Sequence, residues 1–351
     1  MNKQIGLVFG IVLIFSIISG ISYRIAQSHN HHLTNNSNDE KIIETKHKNV
    51  LEVSKIGSPQ VAGEKVEENY IIGNTALSAE DLQEKFVIQL VGDVMLGRSV
   101  NGMIKRYKNP DWPFLEIKDY LSQGDILIGN LESSLIKNCP MISEGYIFCG
   151  EAQNVSGVKN AGFTAFSIEN NHMLNFGERG KMETKSTIEA NGIYSIEKDS
   201  ITEIKSNNKI VHLIAFDDTL PLGRKYIDAN WSSAISQADR GADITIVFVH
   251  WGVEYSLLPT SRQIELAHQA IDSGADIVVG AHPHVVQTTE IYEGKLILYS
   301  LGNFVFDQMW SEETKNGMLA QVVIGVGNQI TDVRMVPTYI KNWGQVTIRE
   351  N

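Results

Sequence analysis

Seven apolar runs, each the length of a β-strand and each ending in polar or glycine-rich residues, constrain the fold of this chain more than any other feature. They are Phe86–Asp93, Asp125–Glu132, Phe163–His172, Lys209–Phe216, Asp243–Gly252, Asp276–His284 and Lys295–Phe304. Helix-like stretches such as 180–191 and 261–273 lie between them. Nearly continuous Val, Ile and Leu strands alternating with helices predict an α/β protein with buried sheets. Ligands gather outside the carboxyl ends of such strands, so a site is expected there.

The residues at these strand ends are metal-ligand types. Four of the ten histidines follow the runs directly, and acidic and amide residues lie near them. These residues are His172, His250, His282, His284, Asp93, Asn130, Glu132, Asn170 and Asn171. Imidazole nitrogens with carboxylate and amide oxygens suit borderline divalent ions such as Zn, Mn or Fe. In an extended segment, His282 and His284 would face one side, and Pro283 stiffens the turn there. The pattern predicts one or two divalent ions, although any one histidine alone is more often structural.

Composition excludes several classes of protein. The net charge of −11, from 30 Lys and Arg against 41 Asp and Glu, is opposite to that of a typical nucleic-acid binder. A hydrophobic fraction of 42% argues against wholesale disorder. With only two cysteines, a cysteine-rich zinc fold is excluded. Outside the cytoplasm, Cys139 and Cys149 are expected to form a disulfide, and two unrelated thiols are the alternative.

The first 85 residues predict attachment to a membrane. Residues 5–21 carry no charge and, with Ser22 and Tyr23, reach the length needed to span a bilayer. No clear A-x-A site follows, so residues 1–23 predict an uncleaved signal-anchor helix, with a cleaved signal peptide as the alternative. Residues 24–85 lack an apolar period and predict a flexible stalk. Residues 86–345 are expected to form the main domain of a single-pass cell-membrane protein, outside the cytoplasm.

Six ordered motifs within residues 86–340 strongly resemble the CapA-type poly-γ-glutamate capsule-synthesis proteins. The motifs are GDVMLGR (92–98), GNLESSL (129–135), ENNHMLNFG (169–177), HWGVEY (250–255), GAHPHVVQ (280–287) and YSLGNFVFD (299–307). That family is similar to a branch of the calcineurin-like metallophosphoesterases. The resemblance implies a four-layer α/β/β/α sandwich of the metallophosphoesterase type, with a metal centre between the ends of two sheets.

The resemblance also implies roles for individual residues. The implied metal ligands are Asp93, Glu132, Asn171, His250, His282 and His284. Asn130 is an alternative to Glu132 at the bridging position. Asp93 opens the implied catalytic site, and His172 is the implied acid that protonates a leaving group.

Five further residues near the motifs are candidates for contact with substrate. They are Arg98, Asn130, Glu254, Tyr255 and Asn303. Arg98 would hold an anionic group, or it forms a surface salt bridge. Glu254 would contact substrate or orient the preceding histidine of its motif, and Asn303 would line the pocket rim or close a turn.

Two residues depart from the patterns of the family and superfamily. Met95 stands where the superfamily usually has a histidine, so one metal position is expected to be weak, lost or rebuilt. Asn175 stands where the capsule family often has an aspartate, and an amide cannot supply a charge to orient His172. The loss of such an outer contact often lowers activity or metal affinity by roughly 10–100-fold.

The expected function is metal-dependent hydrolysis, of a phosphoester or of polyglutamate, in capsule or envelope polymer synthesis or export. A non-catalytic polymer-binding or scaffold subunit of the same assembly is the main alternative, and a phosphoesterase unrelated to capsule is a third. The expected partners are poly-γ-glutamate or another anionic envelope polymer, the membrane, and other capsule-synthesis membrane proteins. Because the chain is itself acidic, binding of a polyanion would depend strongly on the metal.

Overall fold

The computed structural model describes residues 69–70 and 85–349. The predicted signal-anchor at 1–23 and nearly all of the predicted stalk at 24–85 lie outside the described residues. Among the residues that the structure describes, no helix combines the length and apolar composition needed to cross a membrane.

Strands dominate the described chain. In chain order they are β1 (Asn69–Tyr70), β2 (Phe86–Val94), β3 (Ile126–Leu131), β4 (Ser134–Ile136), β5 (Cys149–Glu151), β6 (Ala165–Ser167), β7 (Tyr194–Ile196), β8 (Thr202–Ser206), β9 (Lys209–Asp217), β10 (Ile244–His250), β11 (Ile277–Ala281), β12 (Thr289–Tyr292), β13 (Lys295–Leu298), β14 (Asn303–Val305), β15 (Asn316–Ile324), β16 (Ile330–Lys341) and β17 (Gln345–Ile348). The α-helices are α1 (Arg98–Tyr107), α2 (Lys118–Leu121), α3 (Val155–Asn160), α4 (Gly177–Ala190), α5 (Pro221–Ala238), α6 (Ser261–Asp272) and α7 (Glu312–Lys315).

Two large sheets organise these strands. The first has the order β1-β16-β15-β2-β3-β6-β7, with β14 also paired to β2 and β17 to β16. The second has the order β12-β13-β11-β10-β9-β8. The strands β2, β3, β6 and β7 run parallel, as do β9, β10, β11 and β13. The mixed α/β architecture predicted from the alternating runs is therefore confirmed.

Apolar side chains fill three interfaces and stack the elements in four layers. Ile88 of β2 and Ile246 of β10 belong to one buried cluster, which joins the two sheets face to face. Val91 of β2 packs with residues of α1 and α4 on the outer face of the first sheet. Val249 of β10 packs with residues of α5 and α6 on the outer face of the second. Helices therefore cover both outer faces, which explains why the central strands are apolar on both sides.

The register of the strands brings distant polar residues side by side. In the first sheet, Asp93 of β2 pairs with Asn130 of β3 and with Asn303 of β14. In the second, His250 of β10 pairs with Ala281 of β11, directly before the His282–His284 segment. Asp93, Asn130 and His250 lie at the carboxyl ends of parallel strands, where the sequence predicts a site, whereas Asn303 is the first residue of β14.

Candidate metal centre

Asp93 is a fully buried carboxylate at the end of β2. Its Oδ1 accepts a hydrogen bond from Asn130 Nδ2 at 2.8 Å. Its Oδ2 accepts from the backbone N–H of His282 at 3.2 Å and lies 3.3 Å from His284 Nδ1. Burial acts to raise the pKa of Asp93, but the hydrogen bond and charge of His284 and the bonds from Asn130 and His282 outweigh it and lower the pKa. Asp93 is therefore ionised at neutral pH.

A glycine allows β2 to carry Asp93 into this position. A β-carbon on Gly92 would overlap the carbonyl oxygen of Gly302, just before β14. The backbone N–H of Asp93 donates to that same carbonyl at 3.0 Å. The glycines of the GDVMLGR and YSLGNFVFD motifs thus permit the close backbone approach that sets Asp93 beside β14.

Glu132 is the least satisfied group of the site. It is fully buried, and neither carboxylate oxygen has a hydrogen-bond partner among the described residues. Its Oε1 lies 3.6 Å from His284 Nε2 and 3.7 Å from His172 Nε2. Burial, followed by the charge of Asp93, raises the pKa of Glu132 well above its ordinary value. A buried carboxylate without donors is costly unless a proton or a cation meets it, which fits a metal ligand.

His250 supplies a nitrogen ligand from the second sheet. Its Nδ1 lies 3.3 Å from Asn130 Nδ2, and its Nε2 lies 2.9 Å from Asn171 Oδ1. Burial, followed by the charges of the neighbouring histidines, lowers the pKa of His250 well below 6.5, so the imidazole is neutral. Asp93, Glu132 and His250 offer ligand atoms that all lie within 4.8 Å of one another. Two carboxylates and a neutral imidazole fit a borderline divalent ion.

The segment from His282 to His284 is bent and not extended. His282 has φ 94° and His284 has φ 58°, both in the left-handed region. The turn is imposed from outside, because the backbone N–H of Tyr255 donates to the carbonyl of Pro283 at 2.8 Å. Both imidazoles still reach the cluster, since the His282 ring centroid lies 4.7 Å from that of His250. Left-handed residues other than glycine carry strain and concentrate at functional sites.

His172, the predicted acid, is fixed by two neighbours. Its Nδ1 lies 3.2 Å from Asn175 Oδ1, and Phe148 stacks on its ring with centroids 3.9 Å apart. Burial, opposed by the bond to Asn175, lowers the pKa of His172 to about 4. Neutral His172 carries its proton on Nδ1, which donates a hydrogen bond to Asn175 Oδ1. Its Nε2 atom therefore carries a lone pair and faces Glu132. His172 must therefore receive a proton at Nε2 before it can donate one.

Arg98 is bound on several sides, in agreement with the salt-bridge alternative. Its Nη2 pairs with Asp307, and its Nη1 donates to the carbonyl of Gly145 at 2.8 Å. Its guanidinium also lies over the Phe148 ring, 4.6 Å from the centroid. The pair is buried instead of lying on the surface, and holding a substrate anion would require Arg98 to leave Asp307.

A disulfide closes the loop that carries Gly145 and Phe148. Cys139 and Cys149 are bonded, with Cα atoms 5.9 Å apart. The backbone N–H of Phe148 donates to Asn175 Oδ1 at 2.8 Å. The disulfide loop therefore contacts both His172 and the residue that orients it.

The other predicted substrate contacts divide into buried and accessible residues. Asn303 is fully buried, with Oδ1 3.0 Å from His284 Nδ1, so it orients that histidine and does not line a rim. Asn130 is likewise buried between Asp93 and His250. Tyr255 is 42% exposed. Glu254 offers a ligand atom within 4.8 Å of those of His282 and His284.

Two residues hold the ENNH segment: Glu169, to which the sequence analysis assigned no role, and Asn170, which it grouped with the metal-ligand types at the strand ends. Glu169 accepts hydrogen bonds from Lys181 at 2.7 Å and Lys198 at 3.4 Å. Asn170 donates to Asn130 Oδ1 at 3.1 Å and to the carbonyl of Leu131 at 2.9 Å. Their place in an acidic and amide-rich motif after a strand is the signal that could have identified them.

Comparison with known proteins identifies a matching family model and related proteins. The family model described as "Bacterial capsule synthesis protein PGA_cap" matches residues 87–308. The "Capsule biosynthesis protein CapA" of Bacillus anthracis is 32% identical over 275 residues, covering 71% of this chain and 67% of that protein. The "PGA biosynthesis protein CapA" of Bacillus subtilis is 34% identical over 251 residues, covering 66% of each. The matches thus span about two thirds of the relatives' own lengths.

A solved structure of a purple acid phosphatase from yellow lupin covers 72% of this chain and 53% of its own chain, with 10% identity and a TM-score of 0.33. A TM-score this low does not establish a common fold. The sequence matches are the stronger finding, because they run through the strands that supply Asp93, Glu132, His250 and His284. This chain belongs to the PGA_cap family of bacterial capsule synthesis proteins.

Proposed function

We propose that this chain is a membrane-anchored, metal-dependent hydrolase of poly-γ-glutamate capsule or envelope polymer metabolism, built on a sandwich of the metallophosphoesterase type. The observation that carries the proposal is Glu132, whose two buried oxygens have no partner among the described residues. Ionised Asp93 and neutral His250 converge on the same point. Such a cluster is costly without a cation and well suited to holding one.

In this proposal, Asp93, Glu132, Asn171 and His250 hold a divalent ion at the ends of the two sheets. Such an ion supplies positive charge that activates water and stabilises the anion formed during hydrolysis. The chain's own contribution is orientation. Asn130 bridges Asp93 and His250, and the Nε2 atom of His172 accepts or returns a proton beside Glu132.

The proposed polymer substrate is supported by the names of the relatives, and the charge of the chain makes its binding depend on the metal. The two Bacillus relatives are named for capsule and PGA biosynthesis. A chain of net charge −11 repels a polyanion, so an anionic polymer would need the cation in order to approach Asp93 and Glu132.

The proposed location outside the cytoplasm rests on two features. Residues 5–21 are uncharged and apolar, as a signal-anchor requires. The disulfide between Cys139 and Cys149 is typical of an oxidising compartment.

Hydrolysis by the detergent-solubilised full chain tests this function. The protein, loaded with Mn²⁺, is given bis(p-nitrophenyl) phosphate and poly-γ-glutamate, and product release and polymer length are measured. We expect turnover of one substrate that EDTA abolishes and that His172→Ala lowers by about 100-fold. His268→Ala is the matched control, because His268 pairs with Glu290 outside the cluster and should leave turnover unchanged. Equal rates for wild type and His172→Ala, with metal bound, would contradict the proposal.

A non-catalytic, polymer-binding subunit is the second candidate, and one observation favours it. Asn175 supplies His172 with a neutral amide oxygen, and the pKa of His172 is about 4. That histidine is therefore poorly protonated at neutral pH. If metal-loaded wild type binds poly-γ-glutamate and cleaves neither substrate, this second candidate replaces the first.

A further inference from the structure

We propose that Glu254, His282 and His284 form a second cation position beside the first, with Glu254 supplying a ligand that the Met95 position cannot. This inference rests on the proposed metal centre. The sequence placed Glu254 with substrate or as a support for a histidine, and its geometry gives it a more direct role.

The donor atoms of the three residues converge. Glu254, His282 and His284 each offer a ligand atom, and these atoms lie within 4.8 Å of one another. His282 is only 7% exposed, and its Nδ1 is buried without a hydrogen-bond partner in the described chain. Two imidazoles and one carboxylate are a ligand set that holds Zn²⁺, Fe²⁺ or Mn²⁺ in other proteins.

The backbone holds these donors in place before any ion binds. The N–H of Tyr255, the residue after Glu254, donates to the carbonyl of Pro283 at 2.8 Å. Tyr255 also has φ 64°, in the left-handed region shared by His282 and His284. One hydrogen bond thus ties the Glu254 segment to the turn between the two histidines. A preformed ligand set loses less conformational entropy when it binds an ion.

Met95 cannot supply a ligand to the second cation position. It is fully buried in the apolar cluster on the helix-covered side of the first sheet, and its Sδ accepts a hydrogen bond from the N–H of Gly97 at 2.9 Å. The ligand must therefore come from another segment, and Glu254 comes from the loop after β10.

Metal stoichiometry tests the inference without relying on activity. Metal-depleted full chain is titrated with Mn²⁺ by calorimetry, and bound metal is counted by mass spectrometry after desalting. We expect two ions per wild-type chain and one per Glu254→Gln chain, with the lost ion weakened at least 10-fold. His282→Ala should lose the same ion, whereas Glu265→Gln, on the exposed face of α6, should keep both. Electron paramagnetic resonance should show two coupled Mn²⁺ ions in wild type and a single ion in Glu254→Gln.

The outcomes separate this inference from the function on which it rests. One ion in wild type, retained unchanged in Glu254→Gln, overturns the second position and leaves the metal-dependent hydrolase intact. Two ions of unchanged affinity in Glu254→Gln also overturn it. No bound Mn²⁺ in wild type overturns both proposals.

Discussion

Replacing Glu132 with glutamine should stabilise the metal-free protein and abolish the stabilisation that metal gives. Most substitutions of buried residues destabilise a protein, so a stabilising effect of Glu132→Gln would point specifically to the cost of burying this carboxylate. Glu132 is fully buried, and in the described part of the chain neither of its oxygens has a hydrogen-bond partner; burial and Asp93 raise its pKa well above 4.5. Glutamine keeps the shape of the side chain and removes the ionisation.

The size of the effect follows from proton linkage. Above pH 4.5 the unfolded chain releases the Glu132 proton, whereas the folded metal-free chain keeps it until the raised pKa is reached. The folded state therefore binds more protons in this window, and the free energy of unfolding falls as pH rises, by at most about 1.4 kcal/mol per pH unit. Glutamine does not titrate, so its advantage over wild type should grow as the pH rises above 4.5, until the raised pKa of Glu132 is reached.

Thermal unfolding in EDTA at several pH values measures this difference. For a large domain each kcal/mol corresponds to roughly 2–4 °C, so the midpoint of Glu132→Gln should exceed that of wild type by a difference that widens by at most about 3–6 °C per pH unit. Burial lowers the pKa values of His172 and His282 to about 4, so both proteins lose free energy of unfolding as the pH drops below 6.5. This loss largely cancels in the difference between Glu132→Gln and wild type. Glu265→Gln, on the exposed face of α6, is the control for loss of one negative charge. A midpoint for Glu132→Gln that is below wild type in EDTA, or a difference independent of pH, would refute the reasoning.

Three further predictions concern metal, His172 and the disulfide. Mn²⁺ at 100 times its dissociation constant should stabilise wild type by about 2.7 kcal/mol, or roughly 5–10 °C relative to EDTA, and an unchanged midpoint in scanning calorimetry would contradict a specific site. Asn175→Asp should place a negative charge beside Nδ1 of His172, raise the pKa of His172 above about 4, and increase turnover by roughly 10-fold. NMR titration of the His172 ring measures this pKa, and the absence of an upward shift would exclude the orienting role of residue 175. Replacing Cys139 and Cys149 by alanine should lower the free energy of unfolding by about 2–3 kcal/mol in urea titrations, and equal stability would show that the crosslink contributes nothing.

The strand ends were predictable because parallel strands bring their carboxyl ends to one edge. Asp93, Asn130 and His250 lie at the ends of apolar runs; the register of β2 and β3 pairs Asp93 with Asn130, and packing of the second sheet on the first brings His250 to Asn130. A position at these strand ends is not sufficient for a role in the site, however. Asp217 pairs with His250 in the second sheet, but its carboxylate accepts from Thr219 and is not part of either ligand group.

The partners of individual side chains were less predictable because they depend on contacts between distant segments. Arg98 pairs with Asp307, which lies 209 residues away, so its sequence neighbourhood does not reveal that its charge is neutralised. The turn at His282 depends on a hydrogen bond from Tyr255 to Pro283, a contact that local preference for extended structure cannot anticipate. Asn303 was expected to line a pocket rim or to close a turn, whereas its pairing with β2 buries it against His284.

Anomalous diffraction from a crystal grown with Mn²⁺ tests the central claim most directly. We predict a peak between the carboxylate oxygens of Asp93 and Glu132 and a ring nitrogen of His250, three residues whose ligand atoms already lie within 4.8 Å. Manganese peaks found only at surface carboxylates, with Glu132 still lacking any partner, would contradict the account.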